Sequence, residues 1–438
     1  MSTFVTVHAI QSVPPSNINR DRNGSPKSSI FGGSRRHQVS SQSWKRAIKK
    51  YLSEIGADGG TLSSRSFVRA VVEKIAARRG IDLDLDTNPE NVEVVQSIVD
   101  QVALASIISG NLSAAAMSSQ GTKARATDEP KKKNDDEDSA EVDEDSEEIE
   151  ADTEGGVVYY KTNAAFPFTS QTVEAFADIV EEIGGIENYP YKIEVNVRDS
   201  KAKKLVTKVS ANRLEKEGAA AAKAYGKRLE GVVGAVTTNI ALFGRMFASN
   251  PSLNVDAAVQ VAYALAVHET APQTDFYTAV DDLAEAGASM MGTTEYDASV
   301  LYRNASLNLD ELKKSLPEAN IEEIVGAFVE AFALSMPKGA INSHGNSSLP
   351  AVVLVSVGKR AVNHSSAYLD AVEDDFLAES TRRLIAREET ITRRLGGVSG
   401  GVILSLDETV DDLVQGSDLD VADSISDLSE RVVSLIGE

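Results

Sequence analysis

The chain has 438 residues, 42% hydrophobic and 5% aromatic, with a net charge of −22 and no cysteine. That much apolar residue supports a large core and argues against a disordered protein, and the lack of cysteine excludes disulfides and thiolate zinc sites. The five histidines, His8, His37, His268, His344 and His364, lack metal-ligand spacing, so no metal and no other cofactor is expected. Charge is segregated: the first 80 residues carry 14 Lys and Arg against 4 Asp and Glu, so that block is +10 and the remainder −32. A basic face on an acidic body suits a polyanion held at one place and repelled elsewhere, which points to nucleic acid.

In chain order, Phe4 to Ile10 reads as a short strand, and Gln11 to Val39 as a loop carrying Arg20, Arg22, Lys27, Arg35, Arg36 and His37. Ser40 and Ser41 can cap a helix whose apolar stripe is Trp44, Ala47, Ile48, Tyr51, Leu52 and Ile55. Lys45 and Lys49 lie one turn apart on one flank of the stripe, Arg46 and Lys50 on the other, a row able to track phosphates. The plainer reading of such a row is a solvated helix face; the matching charge of the preceding loop favours phosphates.

Val92 to Met117 reads as helical. From Thr127 to Glu154, three lysines are followed by 21 residues with 13 acids and no base, a composition expected to be a disordered insertion. It serves either as a solubilising insert or as a nucleic-acid mimic guarding the basic groove. Beyond it, Val157 to Lys161 and Tyr191 to Val197 read as strands, and Gln171 to Ile183 and Arg213 to Leu229 as helices. Asn254 to His268 reads as a buried helix, its apolar part too short and too polar to span a bilayer, so a cytoplasmic protein is expected. The last third mixes helices over 318–334 and 370–387, a strand over 351–357 and an acidic helical tail over 417–436. Sparse interleaving of strands and helices favours an α+β fold.

The residues Asn19, Arg20, Asp21, then Ile30, Phe31, Gly32, Gly33, Arg35, Arg36, and Ser40 to Ser43 with Lys45, Arg46, Ala47 form one set. Downstream come Ala241, Leu242, Gly244, Arg245, Met246, the run Thr278 to Leu283, Gly292, Thr293, Tyr302 and Arg303. In this order they resemble the repeated backbone subunit of type I-E CRISPR surveillance complexes, called Cascade, in the RAMP superfamily. The resemblance is dense over residues 1–50 and 240–305, whereas 120–230 and 340–438 depart from it. It implies an RNA-recognition-motif-like (ferredoxin-like) palm, an inserted helical finger domain and a thumb hairpin. The palm would comprise 1–60, a helix at 256–268 and 301–438; the fingers 61–255, with the acidic insert 127–154; the thumb 269–300.

By the same resemblance, copies stack along one guide RNA (crRNA) and present it to target DNA in antiviral defence, with other Cascade subunits as partners and no membrane. Arg20, Lys27, Ser40, Gln42, Lys45 and Lys49 would grip guide phosphates and sugars. Met246, next to Arg245, would wedge at interrupted bases with Thr278 and Val280, while Phe276 and Tyr277 anchor the thumb. Sequence-independent phosphate affinity suits a protein that must hold any guide, and apolar side chains displace a base without reading it. Without the family pattern, Met246 and Val280 read as ordinary core residues.

No enzyme is expected. Gly358 with Lys359 and Arg360, and the cluster Gly396, Gly397, Gly400, Gly401, lack the spacing of a phosphate loop. Asp21 is the one alternative, because backbone subunits of other CRISPR classes cleave RNA through a loop aspartate; between Arg20 and Arg22 a charge-paired structural role is simpler. A generic single-strand binder would use aromatic platforms, which the low aromatic content disfavours.

Overall fold

A computed structural model describes residues 2–109, 151–154, 157–160, 165–189, 191–199, 205–213, 219–247, 250–280, 288–395 and 398–437. The chain forms two compact units: Met1–Gly59, Thr237–Gly244 and Asp256–Glu438 make the first, Gly60–Val236 and Arg245–Val255 the second.

The first unit starts with β1 (Phe4–Ser16), β2 (Ser28–Phe31), β3 (Ser34–Val39) and α1 (Ser41–Glu54). The second unit holds β4 (Leu62–Ser64), α2 (Phe67–Arg79), α3 (Val92–Ile108), β5 (Ala151–Glu154), β6 (Val157–Tyr160), β7 (Phe166–Phe168), α4 (Ser170–Ile183), β8 (Tyr191–Asp199), β9 (Leu205–Arg213) and α5 (Ala219–Gly234). Unit one then resumes with α6 (Thr238–Phe243), β10 (Val259–Val261), β11 (Ala264–Ala266), β12 (Gln273–Val280), β13 (Ala288–Asn308), α7 (Leu309–Ser315), α8 (Ile321–Leu334), α9 (Ile341–His344), β14 (Val352–Gly358), α10 (Phe376–Leu395), β15 (Val398–Ser405), α11 (Asp411–Gln415), β16 (Asp420–Val421) and α12 (Ile425–Gly437).

Unit one is built on a mixed ten-stranded sheet in the order β16-β15-β14-β1-β13-β11-β3-β2, with β10 and β12 also paired to β13. Helices around a mostly antiparallel sheet make this an α+β fold. The central strand β1 is buried on both faces from Val5 to Gln11, which is why it reads as a nearly continuous apolar run. On one face Ile10, Tyr302, Leu354 and Ile403 pack with Leu384 of α10. On the other, Trp44 of α1 packs with Val39, Ala264 and Leu301.

Unit two centres on α2, α3 and α4, with Phe67 edge-on to Phe168 and Phe176 at 5.1 and 5.0 Å. Residues 89–108, ending in α3, are long and apolar enough to cross a membrane, but Val95, Ile98, Val99 and Val102 lie in this core.

Four expectations are corrected. Residues 256–268 are not a helix: Val259-Gln260-Val261 and Ala264-Leu265-Ala266 alternate and lie against β13 as β10 and β11, a pairing that only the distant strand can dictate. The strand at Phe4 runs past Ile10 to Ser16, its register shifting between Val13 and Ser16, where Pro14 and Pro15 have no N–H to give. Within the supposed loop, β2 and β3 form a hairpin turned by Gly32 and Gly33 at φ 59° and 84°, the positive pair a tight two-residue turn requires. Of the supposedly disordered acidic insert, Ala151–Glu154 form β5 on β6; residues 110–150 lie outside the described residues.

Candidate nucleic-acid interface

Asn19 organises the basic region. Its carbonyl accepts from Lys27 N at 2.9 Å and its side-chain oxygen from Ser40 N at 2.9 Å, so the turn carrying Arg20, Lys27 and the start of α1 converge on one residue. Arg20 is exposed and Lys27 half-buried. The Asp21 carboxylate accepts from Asn23 N at 2.8 Å and Ser25 N at 3.0 Å, an Asx-type closure of the turn in place of the expected pairing with arginine. Asn17 holds that turn from beneath, donating to Gly24 O and Glu295 O at 2.8 Å each.

Ser40 caps α1, its buried hydroxyl accepting from Ser43 N at 3.4 Å. Trp44, Ile48 and Leu52 face inward as expected, while Ile55 is 43% exposed, past the end of the helix. Gln42, Arg46 and Lys50 are exposed, Lys45 and Lys49 half-buried. The Lys49 ammonium lies 5.0 Å from the centre of the Phe243 ring on α6, and burial, then the neighbouring Lys45 charge, lowers its pKa.

Two of the basic residues are structural. Arg36 is fully buried and donates to the carbonyls of Ala266, Val267, Tyr368 and Leu369, pinning the β2–β3 hairpin. Gly32 sits where the Leu369 carbonyl leaves no room for a Cβ. Arg245, expected at the RNA, is 5% exposed in unit two and donates to Val233, Gly234, Ala235 and Leu253 carbonyls at 2.9–3.0 Å. Burial lowers its pKa, and its fork satisfies the last carbonyls of α5. Its guanidinium is thus committed to carbonyls within unit two. Met246 beside it is 80% exposed, a site open to a partner.

In β12 and β13, Phe276 faces Thr293, Thr278 faces Met291 and Ala279 faces Met290 across the hairpin. Phe276 and Tyr277 do not anchor it, being 63% and 44% exposed, as are Met290 and Met291 at 56% and 68%. Alternation puts Phe276, Thr278 and Met291 on one face and Tyr277 with Met290 on the other. The Tyr277 ring fills the space a Cβ on Gly292 would need. Thr278 is exposed; the Val280 side chain lies outside the described residues.

Among the described residues one group could approach a metal: His8, His364 and Glu388. The two imidazoles stack at 4.2 Å with 10° between planes, so their in-plane lone pairs run parallel and do not converge. His364 Nε2 bonds Glu388 Oε2 at 2.6 Å, His8 Nδ1 the Tyr302 hydroxyl at 2.8 Å, and burial followed by the His364 charge lowers the His8 pKa. This is a polar core network.

The model of one protein family, the CT1975-like proteins, matches residues 5–431. The chain belongs to that family. No curated protein matches it. Two solved structures share its fold: a chain of a "CRISPR RNA-guided surveillance complex, pre-nicking", 23% identical with a TM-score of 0.71, and one of a "CRISPR RNA-guided surveillance complex", 20% identical with a TM-score of 0.63. Each alignment covers 98% of this chain and 99% of the other. A CT1975-like protein thus has this α+β fold, with Arg20, Arg46 and Lys50 among its exposed cations.

Proposed function

We propose that the chain is the guide-RNA-binding backbone subunit of a type I-E Cascade. It repeats head to tail along one guide, presents it to target DNA in antiviral defence, and performs no catalysis itself. On this reading unit one is the RNA-recognition-motif-like palm, β12 with the start of β13 its thumb, and unit two the fingers, all acting in the cytoplasm beside other Cascade subunits.

The observation that carries the reading is the convergence on Asn19 of Arg20, Lys27 and the head of α1, within a chain whose family match spans nearly its whole length. Lys and Arg there supply affinity for any sequence, leaving sequence choice to base pairing. The exposed Thr278 and Met246 suit the part of wedges between bases. Asp21 is engaged by its own turn, and no observation favours cleavage.

The test is to express the chain with a CRISPR array and its neighbouring genes and to sequence the RNA that copurifies. Discrete repeat-derived guides are the expected result. Random cellular RNA would replace the proposal with a generic single-strand binder.

A further inference from the structure

The two basic flanks of α1 have different surroundings. Lys49 lies against Phe243, whereas Arg46 and Lys50 line a cleft of about 540 Å³ whose other wall runs from Leu334 to Gly339 and brings Lys338. Arg46 and Lys338 are exposed, and neither has an ion-pair partner among the described residues. Lys50 meets Glu54 only at 3.7 Å across an exposed pair, which yields readily to a stronger anion. The other carboxylate nearby, Glu330, accepts from the Tyr51 hydroxyl at 2.7 Å.

The second wall is fixed in place. Gly339 packs against the Ile18 carbonyl with no room for a Cβ, and its own carbonyl accepts from Asn346 Nδ2 at 3.0 Å. Ala340 follows in a left-handed conformation at φ 52°, which an alanine adopts only under constraint. On this wall Ser335 is 5% exposed and its Oγ has no hydrogen-bond partner. An unpaired buried hydroxyl on a residue that lines the same cleft as three cations is a feature an anion would complete.

We propose that this cleft is a second phosphodiester-binding site: Arg46, Lys50 and Lys338 hold a backbone phosphate of single-stranded nucleic acid, and its sugar rests on Leu334 and Met336. The Ser335 hydroxyl reaches the phosphate by a rotamer change. The proposal rests on the nucleic-acid reading above but uses none of the residues assigned there to the guide. A strand held at both flanks crosses the exposed crest of α1 over Gln42.

The experiment measures binding of fluorescein-labelled oligouridylate to the full chain across a salt series, for the unaltered protein, R46Q/K338Q and K45Q/K49Q. Loss of two contacts lowers the log-log salt slope by about 1.4, at about 0.7 per phosphate on a single strand. A drop of that size in R46Q/K338Q is the expected result, and an unchanged slope there overturns the proposal, whatever K45Q/K49Q does. A drop in R46Q/K338Q with none in K45Q/K49Q keeps the cleft and removes the guide assignment of the other flank. Calorimetry with uridine monophosphate and with inorganic phosphate separates the sources: saturable binding of either, abolished in R46Q/K338Q, would make the cleft a free-nucleotide or phosphate site and overturn the polymer assignment.

Discussion

Acid should weaken unit one through His37. The imidazole, on β3, is fully buried, bonded through Nδ1 to Ser299 Oγ at 2.8 Å, with Nε2 unpartnered. Burial, and then the charge of His268, lowers its pKa to about 4. The unfolded chain takes up a proton near 6.5, so stability is intact above that pH and falls as pH drops from 6.5 towards 4. For these two values the loss between pH 7 and pH 5 is about 2 kcal/mol, and it levels off near 3 kcal/mol below pH 4. His8, whose pKa is also lowered, adds a loss of the same sign. Urea unfolding can follow the emission of Trp44, the chain's single tryptophan, which is buried in the same unit as His37. In His37→Gln the His8 contribution persists, so the variant should lose about 2 kcal/mol less than the unaltered protein between pH 7 and pH 5. Equal losses in the two proteins would refute a neutral buried His37.

Replacing Lys45 and Lys49 with Ala should weaken guide binding about equally for all guide sequences and reduce the salt slope by about 1.4; an unchanged slope in a filter-binding series removes both from the interface. Arg245→Ala should cost on the order of 3 kcal/mol of unit-two stability by stranding carbonyls at the end of α5, seen as faster hydrogen exchange over 219–234. A loss of guide affinity with exchange unchanged would return Arg245 to the interface. In the assembled complex, a mismatch scan should show single tolerated positions at regular spacing and losses on the order of 1 to 3 kcal/mol elsewhere. Gly at both Thr278 and Val280 should blur that period while leaving guide binding intact; a scan of the unaltered complex without periodicity would end the wedge assignment.

The parts of the molecule legible in the sequence are those whose signal is local. Helix α1 carries its cap at Ser40 and its stripe at Trp44, Ile48 and Leu52, and nothing distant competes with that pattern. Val259 to Ala266 carries small apolar residues that fit either period, and the free side of β13 decided for strands. The β2–β3 hairpin hid behind polar residues, with only Gly32-Gly33 to announce it. Arg36 and Arg245 could not be told from surface arginines because what buries them is a set of carbonyls, in the case of Arg36 more than 200 residues away. The basic row on α1 and its two flanks were readable from the helix period, but the separate surroundings of those flanks depend on Phe243 and Lys338, which periodicity cannot place.

The position of β1 also sets a schedule for biosynthesis. Phe4 pairs with Asn308 on one side and Gly358 on the other, so the first strand made is completed by strands made about 300 and 350 residues later. At roughly 5 to 20 residues per second, the nascent chain waits on the order of 20 s to a minute for its neighbours. Throughout that interval the most cationic segment of the protein emerges from a ribosome with no sheet to hold it. A truncation ahead of Val352 would release a chain in which β1 lacks one neighbour and Arg36 lacks the Tyr368 and Leu369 carbonyls. The β2–β3 hairpin that Arg36 pins is thus secured only once residues 368 and 369 have been made.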